Sequence, residues 1–249
     1  MQGRSCSGIR SDRAILSGGG ISVSRGHTRG YGATTLASLL GAFFRPGYVN
    51  NVVQNWLPAL DGMAQRLKSG VKVADVGCGV GFSTLLMAHA FPASEFVGFD
   101  FHEPSIQEAR QHAEEHGFGE RVRFEVAKAK EIQEAEFDLI TFFDCLHDMG
   151  DPRGCATHMR RILRHDGMWM IVEPIAGNSP KENMNAVGRL YYNASTMICV
   201  PTSLDQEVGA ALGAQAGEEI LADVVRSGGF SRVGRATQGP FNMVLEARP

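Results

Sequence analysis

The chain has few cysteines, and they follow no pairing pattern. Its five cysteines are odd in number and scattered, with no C-x-x-C pair. A disulfide framework or a cysteine zinc site needs paired or closely spaced cysteines, so neither is predicted. This usage fits a reducing compartment, and we expect a cytoplasmic protein. Organellar import is the less favoured alternative, suggested by the acid-poor, Arg- and Ser-rich residues 1–32.

A basic excess and a long apolar run are also missing. The 24 Lys and Arg stand against 27 Asp and Glu, which gives a formal net charge of −3. Proteins that bind a phosphate backbone normally cluster an excess of positive charge, so no nucleic-acid partner is predicted. No apolar segment is long enough to cross a bilayer, and residues 1–32 contain no apolar signal region, so no membrane association is predicted either.

What remains is the composition of a globular α/β protein. With 249 residues, 43% of them hydrophobic, the chain suits one principal domain with short additions. Residues 1–32, rich in Ser, Gly and Arg, are predicted to be disordered. Residues 33–70 are predicted to be a helical lead-in, broken at Pro46-Gly47, and residues 71–249 form the principal domain.

One stretch, VADVGCGVGFSTLLMA, combines a strand, a glycine turn and a helix without a gap. Its apolar start predicts a buried parallel strand, and Gly77, Gly79 and Gly81 allow the backbone to turn closely around a ligand. Phe82 lies where a dinucleotide-binding fingerprint would have its third glycine, which disfavours a nicotinamide dehydrogenase. Asp75, two residues before the first glycine, suits a ligand that carries an ammonium group.

A second acid follows the glycine turn at a diagnostic distance. The segment 95–100 predicts a strand that ends at Asp100, roughly twenty residues past the turn, where doubly wound folds place a carboxylate on ribose hydroxyls. Phe101 or His102 could then cover one face of an adenine ring. The alternative is that Asp100 only caps the next helix.

Polar residues also follow the fourth predicted strand, Phe137–Phe143. The segment D-C-L-H-D-M-G-D-P begins at Asp144 and contains His147, and the next strand ends at Glu173. Carboxyl ends of parallel strands meet at one edge of a sheet, so these side chains are expected to lie together. An imidazole can take a proton from a hydroxyl at neutral pH, and a nearby carboxylate can orient it. The alternative is that His147 only lines the pocket.

The sequence also contains a possible zinc-binding motif, which we do not interpret as a metal site. The run H-A-E-E-H, from His112 to His116, matches a zinc-protease pattern. It lies in a stretch rich in Gln, Arg and Glu, which is typical of the exposed face of a crossover helix. The sequence gives no indication of a third zinc ligand. No metal site is therefore predicted.

Together these segments resemble the class I S-adenosylmethionine-dependent methyltransferases. The D-x-G-x-G-x-G run is similar to their motif I, and L-H-D-M-G-D resembles an L-H-D-W-x-D signature of small-molecule O-methyltransferases, with Met149 in place of Trp. The phrases FFRPGY, WLPALDG, DVGCG and VEP extend the resemblance over about four-fifths of the chain.

The segment at about 176–213 is too long for a simple connection and is predicted to form a substrate-facing lid, with packing in the core as the alternative. The resemblance implies a Rossmann-like seven-stranded sheet with a C-terminal antiparallel strand pair. It implies methyl transfer from S-adenosylmethionine to a small molecule, with a hydroxyl as the acceptor group. The expected catalytic residues are His147, Asp144 and Glu173. The expected cofactor-binding residues are Asp75, Gly77, Cys78, Gly79, Gly81, Asp100, Phe101, His102, Ala127, Lys128, Ala129, Phe143 and Asp144.

The family usually carries an N-terminal winged-helix-like domain that contributes to dimerisation and to the substrate pocket. Residues 1–32 do not have the pattern of such a domain, so it is expected to be missing, while a homodimer is still implied by the resemblance. An alternative function follows, in which the chain is a non-catalytic S-adenosylmethionine-binding module, either a truncated paralogue or a sensor.

Overall fold

The computed structural model describes residues 44–249 of the chain. The predicted disorder of residues 1–32, and the part of the helical lead-in that precedes residue 44, lie outside the described residues. Within residues 44–249, no helix combines the length and the apolar character needed to cross a membrane.

The seven strands of this part of the chain form one sheet. In spatial order they run β3, β2, β1, β4, β5, β7, β6, with β1 to β5 parallel and both β7 and β6 antiparallel to their neighbours. The predicted sheet with a terminal antiparallel pair is thereby confirmed. The strands are β1 (Lys72–Val76), β2 (Glu95–Asp100), β3 (Val122–Val126), β4 (Phe137–Phe143), β5 (Leu163–Pro174), β6 (Arg232–Gln238) and β7 (Asn242–Arg248).

Eight helices of the described chain surround this sheet. The first, α1, is helical over residues 44–51 and passes through a π-helical turn, Val52–Trp56, into Leu57–Ala59. The others are α2 (Met63–Ser69), α3 (Phe82–Ala90), α4 (Glu103–Glu115), α5 (Pro152–Ile162), α6 (Ala186–Ala194), α7 (Val200–Leu204) and α8 (Gly217–Ser227), with a second π-helical turn, Ser195–Cys199, joining α6 to α7.

Both faces of the sheet are covered because its central strands are apolar on both sides. Val73 of β1 packs on one face in a cluster with Trp56 of α1, whereas the next residue, Ala74, packs on the other face in a cluster with Met159 of α5 and Leu221 of α8. Strands buried on both faces read as continuous apolar runs, as parallel sheets require. The edge strand β6 is mostly exposed.

The structure differs from the sequence prediction at the start of β5. The H-D-G sequence at residues 165–167 is typical of a turn and predicts a strand that starts at Met168, but β5 begins at Leu163. Its pairing with β4 jumps from Phe137–Leu163 to Leu139–Met168, so the residues between bulge out of the ladder. The turn residues are therefore accommodated inside an irregular strand.

The predicted helix break at Pro46-Gly47 is wrong. Residues 44–51 are helical, and the side-chain amides of Asn50 and Asn51 donate hydrogen bonds of 2.8 Å to the carbonyls of Pro46 and Gly47. Pro46 lacks a backbone N–H donor, and the backbone nevertheless stays helical across it. The chain instead turns after α1, at Gly62, whose φ is 74°.

Candidate active site

The functional residues predicted from sequence gather at one edge of the sheet. The strand order reverses between β1 and β4, and open α/β sheets bind ligands outside the carboxyl ends of the strands at such a point. The glycine turn follows β1, Asp100 ends β2, the segment 144–148 follows β4, and Glu173 lies near the end of β5.

The three glycines of the turn have different neighbours. A Cβ at Gly77 would come within 2.8 Å of the Cys145 sulfur, and one at Gly81 within 2.6 Å of the Phe124 ring, so protein packing requires both glycines. Gly79, with φ of +53°, has no heavy atom within 4 Å of the position of a Cβ. The backbone is therefore open at Gly79, where a ligand can approach closely.

Asp75 is buried below this turn and holds it in place. One carboxylate oxygen accepts hydrogen bonds from the hydroxyls of Ser83 (2.7 Å) and Thr84 (2.6 Å) in the first turn of α3, and the other accepts one from Thr141 of β4 (3.0 Å). Burial raises the pKa of Asp75 to about 6, against the lowering effect of these hydroxyls. Asp75 thus ties α3 to two strands, and its contact with a ligand ammonium stays a prediction.

Asp100 organises the other side of the turn. Its two oxygens accept hydrogen bonds from the backbone N–H of Gly79 (2.9 Å) and of His102 (2.8 Å). A carboxylate has about four acceptor positions, so two remain for hydroxyls of a ligand. Phe101 is 65% exposed beside it, and the His102 ring is held 2.8 Å from the Ser105 hydroxyl oxygen.

Four further residues are predicted to bind the cofactor: Ala127, Lys128 and Ala129 after β3, and Cys78 in the glycine turn. The backbone N–H of Ala127 donates to the carbonyl of Asp100 (2.9 Å), and Ala127 and Ala129 pack against the core. The side chain of Lys128 is mostly exposed and faces Glu131 at 3.6 Å. Cys78 is buried, and burial raises the pKa of its thiol. Ligand contacts of these residues stay predictions.

His147 and Glu173 form a buried pair. The Nδ1 atom of His147 contacts the Oε2 atom of Glu173, whose Oε1 accepts a hydrogen bond from the backbone N–H of Leu146 (2.8 Å). Burial alone would lower the pKa of His147, but the charges of Glu173 and Asp148 outweigh it and hold that pKa well above its ordinary value. Glu173 therefore orients the ring and stabilises its charged form, which is the role predicted for a carboxylate near His147.

Asp144 is fixed by side chains from two distant segments. It has a φ of 50°, which aspartate tolerates better than most residues. Its oxygens accept hydrogen bonds from Tyr48 of α1 and Asn242 of β7, both 2.8 Å. Burial and the nearby charge of Glu173 raise the pKa of Asp144 to about 7. Asn242 was missed by sequence reasoning, because nothing near it marks a site.

The aromatic residue before Asp144 packs in the same region. Phe143 contacts Tyr48, with ring centroids 5.2 Å apart, and Trp56, with centroids 6.3 Å apart. Phe143 is buried in the core beside α1. Its predicted contact with a cofactor stays a prediction.

Asp148 and Cys199 lie against the edge of the His147 ring that faces away from Glu173. The Nε2 atom is 3.1 Å from Oδ1 of Asp148, although Oδ1 is buried and accepts no hydrogen bond among the described residues. The Cys199 sulfur, at the end of the second π-helical turn, lies close enough that Nε2, a carboxylate oxygen of Asp148 and Sγ are all within 4.8 Å of one another.

The predicted lid insertion is tied to the His147 loop. The backbone N–H of Gly213 donates to the carbonyl of His147 (3.2 Å), and the Ser203 hydroxyl donates to the carbonyl of Met149 (2.8 Å). The amide of Gln206 donates to the carbonyl of Asp148 (3.0 Å). The insertion contains α6 and α7, and its role as a lid over the substrate stays a prediction.

Comparison with known proteins agrees with this geometry. Residues 67–223 match the family model described as "Methyltransferase domain". A ubiquinone biosynthesis O-methyltransferase from Leptothrix cholodnii (strain ATCC 51168 / LMG 8142 / SP-6) is 28% identical over 152 residues, which is 59% of this chain and 61% of that protein. The chain spans about half the length of the curated relatives it matches.

Solved structures share the fold at low sequence identity. The structure called "PigF with SAH" superposes with a TM-score of 0.67 at 16% identity, over 86% of this chain and 58% of that one. The mitomycin 7-O-methyltransferase MmcR superposes with a TM-score of 0.63 at 18% identity, over 86% of this chain and 56% of that one. By its family match and its seven-stranded sheet, the chain belongs to the methyltransferase domain family, with the class I, S-adenosylmethionine-dependent fold.

Proposed function

We propose that the chain binds S-adenosylmethionine and transfers its methyl group to a hydroxyl of a small molecule, with His147 as the general base. The observation that carries the proposal is the meeting of two features at one sheet edge. The glycine turn leaves its backbone open at Gly79, and the Glu173-oriented imidazole of His147 follows the neighbouring strand.

The residues at the turn fit this cofactor. The open backbone at Gly79 suits the close approach of the methionine portion, and Asp100 keeps two acceptor positions for ribose hydroxyls. The exposed ring of Phe101 is suited to cover one face of the adenine. Asp75 would act mainly by fixing the turn, because three hydroxyls already donate to its oxygens.

His147 would take the proton of the acceptor hydroxyl. The bound cofactor supplies an electrophilic methyl group and leaves as S-adenosylhomocysteine. Glu173 accepts from Nδ1–H, which leaves the lone pair of the neutral ring on Nε2, directed away from Glu173. Glu173 would stabilise the imidazolium that forms when the ring accepts this proton, because the charges of Glu173 and Asp148 hold the pKa of His147 well above its ordinary value.

A small-molecule acceptor is supported by relatives and by charge. The relatives named above are O-methyltransferases of ubiquinone biosynthesis and of mitomycin. A net charge of −3 does not favour nucleic acid. The proposal also includes a cytoplasmic homodimer, which exposed apolar side chains such as Leu190 and Met197 would suit.

The proposal is tested by measuring cofactor binding and methyl transfer in the same preparation. Calorimetry is expected to show one S-adenosylmethionine site per chain, and the wild type is expected to methylate at least one member of a broad panel of phenols and catechols. If cofactor binds but no panel member is methylated, the non-catalytic binding module becomes the better reading. If no cofactor binds, both readings fail.

A further inference from the structure

The edge of the His147 ring that faces away from Glu173 contacts a second carboxylate. The Nε2 atom of His147 is 3.1 Å from Oδ1 of Asp148. Oδ1 is buried and accepts no hydrogen bond among the described residues. A ring nitrogen and a carboxylate oxygen at this distance are bridged by a proton on the nitrogen, or by a cation that takes the place of that proton.

The sulfur of Cys199 is a third atom that could bind a metal ion beside His147 and Asp148. The Cys199 sulfur belongs to a π-helical turn, a feature that is frequent at functional sites. Its Sγ, Nε2 of His147 and a carboxylate oxygen of Asp148 all lie within 4.8 Å of one another. Imidazole, thiolate and carboxylate are the donor types of Zn²⁺, whose tetrahedral bonds of about 2.0–2.3 Å place donors about 3.5 Å apart. Small side-chain rotations would bring the three to that spacing.

We propose that His147, Asp148 and Cys199 bind a thiophilic divalent cation, Zn²⁺ in the first place, and that this ion reversibly inhibits the site. Glu173 would serve as the outer carboxylate that orients a metal-binding histidine. The thiol of Cys199 would release its proton to solvent on binding.

The inhibitory consequence follows from one atom. The ion would hold the Nε2 lone pair that must accept the proton of the acceptor hydroxyl, so ion and acceptor cannot use His147 together. This consequence rests on the proposed function, whereas the ion site itself rests on the geometry alone. The site departs from the sequence reading, which predicted no metal, because Cys199 lies far along the chain from His147 and Asp148.

Cobalt(II) provides a direct probe of this site that does not depend on activity. In a Cys6→Ser background, titration with Co²⁺ is expected to give a thiolate-to-metal charge-transfer band at one equivalent, together with intense visible bands of tetrahedral coordination. The band should be lost in Cys199→Ser and kept in Cys155→Ser, a matched control at a buried cysteine of α5. Absence of the band in the parent protein, or its persistence in Cys199→Ser, would overturn the proposal.

A second variant protects the test against a folding defect in Cys199→Ser. Asp148→Asn keeps the size of a partly exposed side chain and is expected to weaken Zn²⁺ binding at least tenfold, measured by competition with a chromophoric chelator. Unchanged affinity would remove Asp148 from the site and contradict the proposal. Circular dichroism establishes that each variant is folded.

Parallel assays separate this inference from the proposed function. Zn²⁺ is expected to inhibit methyl transfer by the parent protein, with recovery on addition of a chelator. A protein that methylates its acceptor and ignores Zn²⁺ would refute only the ion site. A protein that shows the Cys199-dependent Co²⁺ band but methylates nothing would refute only the proposed reaction.

Discussion

At the scale of single residues, Gly79 carries the ligand-facing part of the turn. Gly79→Ala is expected to destabilise the fold by about 1 kcal/mol, because alanine is strained at positive φ, and to weaken S-adenosylmethionine binding at least tenfold, because its methyl group enters the open space. Chemical denaturation and calorimetry measure the two effects.

The matched control for this substitution is Gly117→Ala. Gly117 has a similar φ, +67°, and likewise no heavy atom within 4 Å of a Cβ, but it lies at the end of α4. It should show the same loss of stability and unchanged cofactor affinity. Equal cofactor affinity in the two variants would show that the space at Gly79 is not used by the ligand.

The buried carboxyl group of Asp75 is expected to make the free energy of unfolding depend on pH. Its folded-state pKa, about 6, is above the ordinary value of 3.8, so the folded protein holds this proton more tightly than the unfolded chain. Its contribution is fully present below about pH 4 and is lost as pH rises through about 6. The loss amounts to about 3 kcal/mol.

The comparison with Asp75→Asn isolates this residue. Between pH 4 and 7, the free energy of unfolding of the wild type is expected to decrease relative to that of Asp75→Asn, as measured by urea denaturation. Other titrating groups, Asp144 among them, largely cancel in the difference. A difference that stays flat over this range would mean that Asp75 keeps an ordinary pKa.

At the scale of elements, a hydrogen bond from Tyr48 to Asp144 links α1 to the active-site edge. Tyr48→Phe removes the donor to Asp144 while keeping the ring that packs on Phe143. The expected loss is about 1–3 kcal/mol of unfolding free energy, because a buried carboxylate oxygen loses its partner. Thermal and urea denaturation measure it.

A tyrosine elsewhere in the chain gives the control. The hydroxyl of Tyr192, on α6, donates no hydrogen bond among the described residues, and Tyr192→Phe should change stability by less than 0.5 kcal/mol or so. If both variants are equally mild, the Tyr48 hydroxyl contributes nothing and α1 is held by its apolar contacts alone.

At the scale of the whole molecule, local patterns predicted more than long-range contacts did. The apolar strands, the glycine turn and the C-terminal strand pair are local signals, and the sheet confirms them. Side-chain partners from far along the chain leave no local signal. Asn242 therefore escaped notice, and Cys199 was read only as part of the insertion. The bulge in β5 arises from its pairing with β4. The local H-D-G sequence is typical of a turn, so it does not indicate this pairing.

His147, which Glu173 orients from the neighbouring strand, is the centre of the proposed reaction. The most direct test is the single-turnover rate of methyl transfer by wild type and His147→Gln, with saturating cofactor and an acceptor that the wild type methylates. The rate is expected to be lower by about 10²–10⁴ in His147→Gln, with the dissociation constant for S-adenosylmethionine within about threefold of wild type. A rate in His147→Gln within threefold of wild type would contradict the proposed role of His147.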